Sequence, residues 1–140
     1  MRIDRGLTHV ALPVSDVEAS LDFYRRFADM AVVHRRRDDE TGEQVVWVSD
    51  RTRPFVIVLI EQDRPSGVLT GFSHLGIGCD SPEEVDRRAE LARREGRIVR
   101  GPFDSGPPVG FWAFITDPDG NNLELSYGQE VGITVEEGES

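Results

Sequence analysis

The sequence predicts an α+β protein built from two tandem βαβββ modules whose eight strands form a cupped mixed sheet. Three observations predict it. His9 and His74, each in a short apolar strand, lie 65 positions apart, and the helix-capping serines Ser15 and Ser81 lie 66 apart. Two independent markers with nearly the same spacing indicate one supersecondary unit written twice. After each capped helix come three strand-like stretches separated by turn residues.

The first module opens with a strand over 7–14, where apolar residues alternate with others. Ser15-Asp16-Val17-Glu18 reads as a capping box that starts a helix running to about residue 29, with Val17, Leu21, Tyr24 and Ala28 as its apolar stripe. Strands follow over 31–37, 43–48 and 55–61, punctuated by Thr41-Gly42 and Arg53-Pro54. The second module repeats the order. A strand over 72–79 leads to Ser81-Pro82-Glu83-Glu84, a capping box with proline at the first helical position. Val85, Ala89 and Ala92 mark the second stripe, and Gly96 ends that helix. Its strands are expected over 97–100, 111–116 and 122–127, the last two joined by Asp117-Pro118-Asp119-Gly120. The modules are therefore placed at 1–66 and 67–130, with an acidic tail at 131–140. The Gly- and Pro-rich stretch 101–110 is either a lid or a plain connection.

Composition excludes several function classes. The chain has 140 residues, 38% hydrophobic and 30% charged, enough for one domain or two small fused modules. Sixteen basic residues against 26 acidic ones give a net charge of −10, which argues against nucleic acid or an anionic membrane as partner. Every basic residue is arginine. Without lysine there is no Schiff-base chemistry, no pyridoxal-phosphate site and no P-loop. Arg35-Arg36-Arg37 runs straight into Asp38-Asp39-Glu40 and reads as a solvated strand end. No apolar run approaches the roughly 20 residues of a membrane span, and Met1 to Arg5 lead into a strand without an apolar leader, so the expected location is cytoplasmic. The single cysteine, Cys79, reads as core packing and fits a reducing compartment.

Strand parity picks out the functional face. A four-stranded sheet with one helix buries only its helix-facing side. Val10, Leu12 and Val14 face the first helix and Leu75, Ile77 and Cys79 the second, which leaves His9 with Ala11 and Pro13, and His74 with Gly76 and Gly78, on the open side. In the last strand Leu123 and Leu125 alternate with Asn122, Glu124 and Ser126. Taken singly, each histidine reads more readily as a packing or interface residue than as a ligand. Together, His9, His74 and Glu124 form a repeat-related set on the concave side, with small neighbours that leave room for an ion. A shared divalent cation would satisfy all three, where burying an unpaired polar group costs roughly 1–3 kcal/mol. Ser126 or Asn122 on the same face could support the ligands.

With these residues the chain resembles the vicinal oxygen chelate superfamily, the glyoxalase/bleomycin resistance protein/extradiol dioxygenase family. Thr8-His9-Val10-Ala11-Leu12, the helix reading Ser20-Leu21-Asp22-Phe23-Tyr24, Ser73-His74-Leu75-Gly76-Ile77 and Asp117 to Leu125 carry the resemblance over roughly residues 6–128. It implies the glyoxalase/dioxygenase-like fold and one divalent metal per site, Fe(II), Mn(II) or Zn(II), that chelates two adjacent oxygens of a small-molecule substrate. It also implies a homodimer, with His9 from one subunit and His74 and Glu124 from the other. Glyoxalase I-like members carry a fourth ligand where this chain has Ile57-Val58-Leu59. Val58 cannot ligate, and Glu61 could substitute only through a bulge.

The remaining three-ligand shell favours a dioxygenase-type enzyme, with a glyoxalase I-like lyase and a non-catalytic drug-binding protein as alternatives. Ring-cleaving members also place a histidine and a tyrosine near the metal. Here Phe114 stands near the expected tyrosine, and His34 is expected to face solvent beside the arginines. Val58, Trp47, Trp112 and Phe114 are the expected pocket residues.

Overall fold

The computed structural model describes residues 3–65, 67–97 and 99–139. It contains eight strands, β1 (His9–Val14), β2 (Ala31–Arg37), β3 (Gln44–Ser49), β4 (Val56–Glu61), β5 (Leu75–Gly78), β6 (Val99–Asp104), β7 (Phe111–Thr116) and β8 (Asn122–Tyr127). The helices are α1 (Val17–Ala28), α2 (Pro82–Arg94) and the short α3 (Val131–Glu137). The chain divides into two compact units, Met1–Val68 and Leu69–Ser140. The eight strands form two hydrogen-bonded sheets of four, with orders β1-β4-β3-β2 and β5-β8-β7-β6. The second order is the first shifted by four strands, so the duplication read from spacing is a duplication of topology.

In each unit the first strand pairs in parallel with the last, and the other pairs are antiparallel. A parallel neighbour cannot be reached through a hairpin, and the helix after β1 or β5 belongs to the excursion that makes it possible. β1 and β5 are consequently edge strands.

The helix of the first unit begins one residue later than a Ser15 cap would place it. Asp16, in extended backbone at φ −140°, is the cap, and its Oδ1 accepts the amides of Glu18 at 3.1 Å and Ala19 at 3.2 Å. Glu61 at the end of β4 takes the next orphan donor, the Val17 amide, at 2.9 Å. That contact lies 44 residues away in sequence and fixes the register of the helix start. The buried stripe is Val17, Ser20, Phe23, Tyr24, Phe27 and Ala28, turned toward the two phenylalanines, while Leu21 is only half-buried. Phe23 and Phe27 stack at 4.9 Å between ring centres, a larger apolar area than a Leu21 stripe would bury.

In the second unit Ser81 caps α2 by accepting the Glu84 amide at 3.1 Å, and Pro82 opens the helix. Only half of the capping box forms, because the Glu84 carboxylate turns along the helix to Arg87 and Arg88. The strand expected over 72–79 is shortened to Leu75–Gly78, so His74 precedes it. The strand expected over 97–100 instead spans Val99–Asp104, and Ile98 lies outside the described residues, as do Met1 and Arg2 before the first strand. Four of the ten residues considered as a lid are therefore sheet, bulged between Arg100 and Phe103. Gly110, at the entry to β7, has φ +83° and sits where an added Cβ would lie 2.5 Å from the Tyr127 carbonyl oxygen, so only glycine fits. The acidic tail carries α3, whose residues are exposed.

Each sheet packs one face on its helix. Leu12, Val14, Val46, Val48, Ile57 and Leu59 are buried in the first unit, and Ala113, Ile115, Leu123 and Leu125 in the second. The parity reading holds: His9 and Ala11 are exposed while Leu12 and Val14 are fully buried.

Hydrogen bonds from Arg87 first, then Arg88, hold the Glu84 carboxyl down from its ordinary 4.5 to about 2. A depressed carboxyl stabilises the fold fully above its unfolded value and loses that contribution as pH falls toward its folded value. Wild-type stability in urea titrations should therefore fall between about pH 4.5 and pH 2. Glu84→Gln should flatten that acid limb and cost on the order of 2 kcal/mol at pH 7, because the Arg88 side chain, only 7% exposed, loses its carboxylate partner.

Candidate metal centre

Within each unit the strand pairings set out equivalent rows of side chains on the open face. In the first unit one cross-strand row runs Ala11, Val58, Trp47, His34; in the second the matching row runs Gly76, Glu124, Phe114, Arg100. Ala11 and Gly76 each stand two residues after a histidine. Val58 is thus the repeat counterpart of Glu124, and β4 pairs without a bulge on either side. Glu61 lies at the far end of that strand, opposite Val14, with its carboxylate on the α1 amide. The bulge that would have turned Glu61 toward the open face is not there.

His74 and Glu124 are brought together. The His74 Nδ1 lies 2.6 Å from the Phe72 carbonyl oxygen, which only accepts, so Nδ1 carries the proton. Its Nε2 faces Glu124 Oε2 at 3.2 Å. Either a proton on Nε2 or a divalent cation held between the two atoms satisfies that pair. The donor set, one imidazole and one carboxylate, also fits such an ion.

The surroundings hold both ligands in place. The Gln129 amide donates to the other oxygen of Glu124. Asn122 donates to the carbonyls of Gly71 at 2.9 Å and Ser73 at 3.2 Å, pinning the segment that leads into His74. Ser126 donates to the Ile77 carbonyl at 2.8 Å. Asn122 and Ser126 therefore brace the backbone of the histidine strand instead of touching a ligand ring. The Asp117 turn adds a further tie: Asp117 accepts the amides of Asp119 and Asn121, and the Asn121 side chain accepts the Leu69 amide.

His9 belongs to the first unit. Its Nδ1 is 2.8 Å from the Thr8 hydroxyl, and it lines a cavity of about 720 Å³ with Val58, Trp47 and His34. His34 is exposed, as expected, yet it faces this cavity, its ring 4.9 Å from Trp47. In the second unit a cavity of about 330 Å³ is lined by Glu124, Phe114, Trp112, Phe103 and Arg100. Phe114 lies against His74 at 4.6 Å between ring centres, and its place in the sheet is opposite Glu124. Among the described residues no three His, Cys, Asp or Glu side chains form one cluster; the second unit supplies a pair. Gln129, His34 and Arg100 were not singled out as site residues from sequence. The repeat offset would have found the last two, since 66 positions separate His34 from Arg100.

A duplicated βαβββ unit whose first and last strands pair in parallel, with a histidine and a carboxylate brought together in the second copy, defines the class of fold. The chain belongs to the Glyoxalase/Bleomycin resistance protein/Dioxygenase superfamily, whose pattern matches residues 6–125. It is 37% identical over 129 residues to the uncharacterized protein PA2024 of Pseudomonas aeruginosa, covering 90% of this chain and 91% of that one. It is 32% identical over 126 residues to a lactoylglutathione lyase of Neisseria meningitidis, covering 85% and 88%. Its fold matches that of the fosfomycin resistance protein FosX of Listeria monocytogenes, in a variant complexed with Mn(II) and 1S,2S-dihydroxypropylphosphonic acid. The TM-score is 0.71 at 20% identity, covering 95% of this chain and 99% of FosX. Among the described residues no helix is long and apolar enough to cross a membrane.

The Glu61 contact separates two roles for that carboxylate. Glu61→Ala should lower stability by about 1 kcal/mol, the usual scale for a lost helix-start acceptor, and leave metal affinity unchanged. Parallel thermal unfolding and metal titration would check both.

Proposed function

We propose that the chain is a divalent-metal-dependent enzyme acting on a small molecule that presents two adjacent oxygens, with His9, His74 and Glu124 as the metal ligands. The observation that carries this reading is the convergence of His74 Nε2 and Glu124 Oε2 at 3.2 Å, with the Phe72 carbonyl engaging Nδ1 and leaving Nε2 to face the carboxylate. A bound divalent ion would supply Lewis-acid polarisation of the two substrate oxygens and, if iron, a place for dioxygen. His74 would be oriented by the Phe72 carbonyl and Glu124 by Gln129. Phe114 and Trp112 would exclude water from one side, and Val58 would present an apolar wall where a fourth ligand would stand.

Val58 favours a three-ligand, dioxygenase-type shell over a glyoxalase I-like one. The likeness to the Neisseria lactoylglutathione lyase favours the second reading. Turnover of methylglyoxal with glutathione at ordinary enzyme rates would decide for it. Failure of that assay, together with substrate-dependent oxygen consumption by the Fe(II)-loaded protein, would decide for the first.

The ligand set has its own test. His74→Ala should lower divalent-metal affinity beyond the roughly 10–100-fold that loss of an outer hydrogen-bonding partner costs. Elemental analysis of protein purified without chelators should find about one ion per wild-type chain and almost none in the variant. Retention of full occupancy would remove His74 from the set.

The same reading makes the protein a homodimer in which His9 of one copy joins His74 and Glu124 of the other. Sedimentation at micromolar concentration should give twice the 15.7 kDa chain mass. A monomer would require all three ligands to come from one chain.

A further inference from the structure

The row Gly76, Glu124, Phe114, Arg100 orders three chemistries across one sheet: a ligand carboxylate, an aromatic face and a cation. All three of these side chains line the same cavity. Neighbouring strands are spaced about 4.8 Å, so the backbones of Glu124 and Arg100 stand roughly 10 Å apart with Phe114 between them. Aromatic contacts extend the platform, from Phe114 to Trp112 at 5.4 Å and from Trp112 to Phe103 at 5.2 Å.

Arg100 differs from the helix arginines in how its charge is used. Arg25 and Arg26 pair with Asp22, and Arg87 and Arg88 pair with Glu84. The Arg100 guanidinium instead lies over the Phe114 ring, 4.7 Å from its centre, with one long contact of 3.4 Å to the Gly71 carbonyl. Neither neutralises it. In a chain of net charge −10, an arginine held on an aromatic face inside a ligand-sized cavity presents a planar fork suited to a carboxylate. The repeat supports the placement, because the matching row ends in His34 on Trp47.

We propose that Arg100 anchors an anionic group of the substrate, which makes the substrate a small elongated anion. Two adjacent oxygens stand at one end, an apolar or aromatic middle lies along Phe114 and Trp112, and a carboxylate or similar group reaches Arg100. This inference rests on the metal reading above and goes beyond it in naming the substrate class.

The test uses two bidentate oxygen chelators that differ only at the far end, benzohydroxamate and 4-carboxybenzohydroxamate, titrated calorimetrically into the full-length Mn(II)-loaded protein. The wild type should bind the carboxylated probe about tenfold more tightly, as a charge-assisted contact gives. Added salt should shrink the preference. Arg100→Gln should abolish it while keeping benzohydroxamate affinity within about twofold, since Arg100 is exposed. Equal wild-type affinity for the two probes, or a preference that survives in the variant, would overturn the Arg100 assignment and leave the metal reading standing. So would equal weakening of both probes by Arg100→Gln, which marks a structural role. If neither probe binds in a Mn(II)-dependent way, the metal reading fails, and this inference fails with it.

Discussion

Parallel pairing of the first strand of each module with its last is the constraint on which the rest depends. It places residues nearly 50 positions apart, Gly76 and Glu124, side by side, and it does the same for Ala11 and Val58. The helix and two hairpins between them are what bring the last strand back beside the first in the same direction. Once the pair exists, parity alone decides that every second side chain faces away from the helix. His74 just before β5 and Glu124 within β8 then meet without any special loop.

The polar groups near that pair are satisfied in a way that favours order. Glu124 is 8% exposed and has Gln129 on one oxygen and His74 on the other. Asp117 and Asn121, both buried, bond to each other and to the backbone that leads toward His74. A buried network that is fully paired rigidifies its surroundings, whereas a partly paired one costs stability. The turn motif and the ligand pair belong to one connected support, so the precision of the site comes from the second unit's own hydrogen bonds.

What the sequence made legible was whatever obeyed local spacing. The repeat offset located both histidines, alternation located their face, and Ser81-Pro82 located the start of α2. What stayed hidden was decided by distant partners. Ser15 and Asp16 are both competent caps, and Glu61 on another strand settles the helix start. β5 is shorter than its apolar pattern because the 69–73 segment is tied instead to Asn121 and Asn122. Gln129 lies beyond the second repeat and has no periodic signal at all. His34 looked like part of an arginine-rich solvated strand, and only cross-strand pairing with Trp47 gives it a cavity.

The equivalence of Val58 and Glu124 has an evolutionary side. Two copies of one unit began with two equivalent positions, and a carboxylate now stands at one of them while a branched hydrocarbon stands at the other. A single base at the second codon position separates valine from an acidic residue, glutamate or aspartate. The scaffold can therefore gain or lose an anionic group at this position in one mutational step, with strand pairing and helix packing left as they are. Relatives that share this backbone can diverge in chemistry faster than in shape, and the residue at position 58 is where such divergence would first be written.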